Sequence, residues 1–126
     1  MKRKYQQANR VTLILGTSIF LFTSIVNYAS AAPGPPLTGR ELTHSYDHGN
    51  CLACHSAPAD KKAVTLANIG PPFIDMKRRF PSKDALFKQI WDARDTYPET
   101  IMPPFGANNI LSETEIRKII NYLYTL

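Results

Sequence analysis

Cysteine is almost absent from this chain. The 126 residues hold two, Cys51 and Cys54, and both lie in one short segment. That excludes a disulfide framework and leaves a tight redox pair or a covalent attachment as their use. Histidine is nearly as scarce, with His44, His48 and His55 only. A zinc site built on the cysteines would need a second ligand pair, and no further cysteine exists to supply it. No Ser–His–Asp set, paired carboxylate site or phosphate-binding loop stands out, so the chain has no obvious substrate chemistry of its own. There is also no apolar–polar alternation of the kind strands show, and no internal repeat.

Charge is missing in a telling place. Residues 1–10 carry Lys2, Arg3, Lys4 and Arg10 and no acid, and residues 11–26 carry no charge at all. Ala29, Ser30 and Ala31 follow. A basic start, an apolar run and a small-residue cleavage site read as a secretory signal over residues 1–31, cut near Ala31 and Ala32. The rival reading is a retained anchor, although the uncharged run of 16 residues falls short of the ~20 that span a bilayer. Four of the 15 bases lie in this segment, which leaves 11 against 10 acids and a net charge of +1 for the remainder. The basic balance of the whole chain is therefore a targeting signature and not a nucleic-acid one. Export places the mature protein in the periplasm.

The remaining 95 residues suffice for one small domain. Residues 32–39, with Pro33, Gly34, Pro35 and Pro36, read as an extended, mobile leader to a domain over residues 40–126. A short helix is expected over about 40–48, ending near Gly49 and Asn50, with Leu42 and Tyr46 on its buried face. Phe73 to Phe80 can form two turns, with Met76 and Phe80 on one side, until Pro81 stops them. Ser82 is a good N-cap for a helix over 83–94 with the apolar stripe Leu86, Phe87, Ile90 and Trp91. Residues 97–109 hold three prolines and read as loop. Ser112 and Glu115 form a capping box before Ile116, Ile119, Ile120, Leu123 and Tyr124, the clearest helical periodicity in the chain. The expected class is all-α with long loops.

Cys51-Leu52-Ala53-Cys54-His55 carries the chemistry. Two thiols at this spacing reach two edges of one porphyrin and form thioethers, while the next residue, His55, stands over the iron. Export agrees with this, because bacterial c-type haem is attached outside the cytoplasmic membrane. Candidates for the second axial ligand are Met76, Met102, His44 and His48. Met102 is preferred, since Pro103 and Pro104 stiffen a non-helical loop just after its sulfur. Met76 sits on a helical face, where methionine is commonly core filler. Segment 68–73, Asn-Ile-Gly-Pro-Pro-Phe, can supply a carbonyl to the second ring nitrogen of His55, or be a plain rigid turn. Lys77, Arg78, Arg79 and Lys83, with Lys61 and Lys62, are either a solvated face or a surface that steers an acidic partner.

Taken in order, Gly49 to His55, Asn68 to Pro72, Arg79-Phe80-Pro81, Gln89 to Asp92, Met102 to Gly106 and Ile110-Leu111-Ser112 resemble the SoxX family. These are the small c-type cytochrome subunits of the SoxAX complex of sulfur oxidation. The resemblance covers about residues 40–126. It implies a class I cytochrome c fold wrapped around one haem c. It implies His55 and Met102 as axial ligands and Pro71 as carbonyl partner of His55. It further implies a SoxA cytochrome as partner, with the carrier protein SoxYZ and a soluble cytochrome c acceptor reached through the complex. The activity implied is that of an L-cysteine S-thiosulfotransferase, whose reacting centre lies on SoxA while this subunit takes the electrons. One departure is Asn108 and Asn109, which stand where family members often have basic residues. A free-standing periplasmic carrier cytochrome remains an alternative, as does a haem-based gas sensor with a displaceable sixth ligand.

Overall fold

The computed structural model describes residues 34–126, so the expected export signal lies outside the described residues. These residues form four α-helices: α1 (Gly39–His44), α2 (Met76–Arg79), α3 (Lys83–Trp91) and α4 (Glu113–Leu123). Single 3-10 turns occur at Cys51–Ala53 and Ala93–Asp95, and there is no strand among the described residues. The all-α class is therefore as expected.

Helix α4 organises the rest. The Ser112 hydroxyl accepts from the Glu115 N–H, and the Glu115 carboxylate accepts from the Ser112 N–H, so the capping box is present. Ile116, Ile119, Ile120 and Leu123 are all buried. Each such side chain contributes about 1.5–3 kcal/mol of transfer free energy. Helix α1 packs across α4 at Gly39, where an added Cβ would collide with the backbone carbonyl of Lys118. The residue at this crossing therefore has to be glycine.

Three elements are shorter than the sequence suggests, two because a local polar side chain competes with the helix and one because of a backbone turn. Helix α1 stops at His44, not near residue 48. Ser45 is extended there, and its hydroxyl engages the Asp47 N–H and the His48 ring. Leu42 is buried as expected, but Tyr46 falls beyond the helix and is 87% exposed. Helix α2 is one turn, not two, because Asp75 takes a left-handed φ of 51° immediately before it. Helix α3 ends at Trp91, since the extended Asp92 turns its carboxylate onto the N–H and guanidinium of Arg94. At its N-terminal end α1 takes in Gly39, and the Leu37 carbonyl accepts from Lys118 Nζ at 3.0 Å. The end of the expected mobile leader is thus docked on α4.

A carboxylate ties the two terminal helices to the loop between them. Asp60 accepts from Arg40 Nε at 2.8 Å, Tyr122 Oη at 2.6 Å and the Lys62 N–H at 3.0 Å, and lies 3.1 Å from His44 Nε2. The Arg40 guanidinium, with help from the Tyr122 hydroxyl, holds this carboxyl well below the usual carboxylate range. Burial and the Asp60 contact push the Tyr122 phenol up. Elsewhere Tyr124 Oη donates to the Phe80 carbonyl at 2.5 Å, and the Met76 N–H donates to the Leu126 carbonyl at 3.2 Å. These bonds anchor α2 on the C-terminus.

Candidate functional site

The haem-motif residues lie on one tight turn. Asn50, at φ 42°, reverses the chain, and Cys51–Ala53 then winds as 3-10. Cys54 and His55 both donate their N–H to the Cys51 carbonyl, at 3.2 and 2.9 Å. Cys51 and Cys54 are not joined to each other by a disulfide, which leaves both sulfurs for thioether bonds.

A proline strap holds the imidazole. The Gly70 N–H donates to the Cys54 carbonyl at 2.8 Å, and the Phe73 N–H donates to the Ser56 carbonyl at 2.7 Å. Between these pins the Pro71 carbonyl lies 2.7 Å from His55 Nδ1. A carbonyl only accepts, so Nδ1 carries a proton, and Nε2 is the nitrogen left for a metal. The ring stacks on Phe73 with centroids 4.6 Å apart and planes 15° from parallel. Gly70 lies so close to the Nδ1–Cε1–Nε2 edge of the ring that a Cβ would collide with it. The strap is thus more than a rigid turn, and it places Pro71 at the nitrogen named in the sequence reading.

Opposite lies the loop of Met102, whose N–H donates to the Thr100 hydroxyl at 3.2 Å. Two cavities, of about 360 and 420 Å³, meet here, and His55, Pro71, Thr100 and Met102 line both. The walls of the first are mainly apolar, with Phe73, Met76, Phe80, Leu86, Ile90 and Leu123, and Arg79, Gln89 and Tyr97 at its polar positions. The second opens past Cys54, Ile69, Ile101 and Ile110. Apolar walls, a thiol at the edge and an imidazole with a bare nitrogen between two cavities suit a flat macrocycle carrying iron.

The other candidate ligands are distributed differently. Met76 is 3% exposed, lines the first cavity only, and its sulfur accepts from Arg79 Nη1 at 3.6 Å. His44 is engaged by Asp60, away from both cavities. His48 reaches the rim of the second cavity with Nδ1 held 2.9 Å from Ser45 Oγ. Much of the basic cluster is occupied locally. Arg78 pairs with Asp75 at 2.7 Å, Arg79 donates to the Pro72 carbonyl at 2.7 Å, and Lys83 donates to Asn121 at 2.7 Å. Thr100 and Tyr97 belong to no motif in the sequence, and Gln89 enters only through the family resemblance. The one available signal was that Thr100 stands two residues before Met102, the spacing of a hydroxyl-capped turn.

Known proteins place this architecture. The cytochrome c family matches residues 39–126. A chain of the SoxXA crystal structure from P. pantotrophus superposes with a TM-score of 0.62 at 25% sequence identity. The match covers 75% of this chain and 82% of that one. No curated protein sequence matches significantly. The class I cytochrome c fold is thereby established, Cys51 and Cys54 fit its haem-binding motif, and the chain belongs to the cytochrome c family, carrying covalently bound haem c.

Proposed function

We propose that this chain is the electron-accepting subunit of a periplasmic SoxAX-type complex, with His55 and Met102 as the axial ligands of its one haem. The observation that carries the reading is the cradle itself. Its imidazole is oriented by Pro71, its methionine sits on a stiff loop, and His55 and Met102 line both cavities. Likeness to the SoxXA chain supports the choice of complex. Haem iron held by Met and His supplies one-electron transfer at a raised potential.

The chain's own residues assign it a limited part. Coupling thiosulfate to a carrier thiol forms one S–S bond and releases two electrons and one proton. This chain has two cysteines, and thioether formation consumes both sulfurs. No thiol then remains to hold a sulfane group. His55 and Met102 would hold the iron between them and would leave no position for a sulfur substrate. The subunit therefore takes electrons one at a time and hands them to a soluble cytochrome, while the partner's own centre forms the bond. The exposed Ile69, Ile101 and Ile110 beside the second cavity form the face at which such a partner would meet the haem edge.

Reconstitution tests this. Purified holoprotein mixed with thiosulfate, carrier protein and an electron acceptor should give no turnover until a SoxA-type cytochrome is added. Conjugation by this chain alone would overturn the division of labour. Rapid reduction with no partner able to bind would favour a free-standing carrier cytochrome.

A further inference from the structure

Helix α3 ends in a way that serves the methionine loop. A helix leaves its last carbonyls without intrahelical partners. Here the Trp91 carbonyl accepts two bonds from that loop, from the Gly106 N–H at 3.1 Å and the Ala107 N–H at 3.2 Å. The indole covers the same spot, since a Cβ on Gly106 would collide with its six-membered ring. Both partners are unusual for their positions. Gly106 is buried, although its φ is not positive and the backbone alone does not call for glycine. Trp91 is 37% exposed at the end of an amphipathic helix, so burying its own surface is a weak reason for so large a ring. Its outer side is backed by Phe87, with centroids 5.5 Å apart.

The contact lies four residues beyond Met102, and Pro103 and Pro104 stand between. Each proline locks φ, so a shift at Gly106 is carried to the sulfur with little slack. On the far side the Phe105 carbonyl accepts from the Ile110 and Leu111 N–H groups, and the Phe105 ring is buried. Asn109 makes that reversal at φ 56°, a region Asn enters more readily than Lys or Arg. From these observations we propose that Trp91 is a positioning residue for Met102, clamping Gly106 so that the thioether stays on the iron. The inference rests on the proposed Met102 ligation.

The test measures how fast the sixth bond opens. Imidazole binds ferric six-coordinate haem only after the methionine leaves, so its limiting binding rate reports that opening. In purified ferric holoprotein, Trp91→Ala and Gly106→Ala should raise this rate by about tenfold or more. Both should weaken the near-infrared band of the Met–iron bond. Trp91→Phe should lie between wild type and Trp91→Ala. Ile120→Ala, a core truncation on α4, should lower the melting temperature while leaving rate and band unchanged. Wild-type rates in both Trp91 variants, with a band that Met102→Ala removes, would overturn the clamp alone. A band that survives Met102→Ala would overturn the ligation and the clamp with it. Should Gly106→Ala yield no holoprotein, the two Trp91 variants decide.

Discussion

The crossing of α1 and α4 and the pair of loops around His55 and Met102 are built on opposite terms. The crossing is made of capped helices with a buried, mainly apolar interface, and one side chain there resembles the next in role. The loops have almost no repetitive structure. They are held by single backbone bonds such as Gly70 to Cys54, Phe73 to Ser56 and Gly106 to Trp91. Burial at the crossing supplies the free energy, and the loops spend little of their own sequence on stability. A cofactor site with bare ligand atoms is then sustained by a scaffold elsewhere in the fold.

If that contrast is correct, the largest effect comes from the crossing. Ile119→Asp would bury an unpaired carboxylate at a fully enclosed position. A small domain has only about 5–15 kcal/mol of stability in all, so no haem-loaded protein should accumulate. A normal yield of holoprotein would show that this stripe does not carry the fold. Next comes Met76, which lines the cavity yet belongs to the core. Met76→Ala should lower stability by about 2–5 kcal/mol in denaturant titration while the haem spectrum stays unchanged.

Asp60 sharpens the comparison through pH. Its carboxyl is held below its ordinary value of 3.8, mainly by the Arg40 hydrogen bond. A depressed carboxylate contributes stability above its unfolded pKa and loses it as pH falls through the folded one. Asp60→Asn should therefore cost about 1–3 kcal/mol at neutral pH. The variant should also lose less stability than wild type on acidification below pH 3.8, measured by unfolding at stepped pH. The smallest effect is at the cap: Ser112→Ala should cost about 1 kcal/mol and leave the haem untouched.

The same contrast governs how much could be read in advance. Helix α4 was legible to its N-cap, because periodicity and a capping box are local signals. The haem motif was legible because two thioethers and one imidazole demand a fixed spacing. The lengths of α1 and α2 were not, since Ser45 and Asp75 act through single hydroxyl or backbone choices that no apolar pattern marks. Asp60 was invisible for another reason. Its partners Arg40, His44 and Tyr122 lie 20, 16 and 62 residues away, and only the finished fold brings them together. For the strap, composition allowed a carbonyl acceptor for His55 or an ordinary turn. The pinning of Gly70 and Phe73 to the haem-motif segment is what sets Pro71 on the imidazole.

The most direct test of the account is the near-infrared absorption of the ferric holoprotein, compared among wild type, Met102→Ala and Met76→Ala. A weak Met–iron band should be present in wild type, persist in Met76→Ala and vanish in Met102→Ala. A band that vanishes with Met76 and survives loss of Met102 would contradict it, and would move the iron's ligand from the loop to the core.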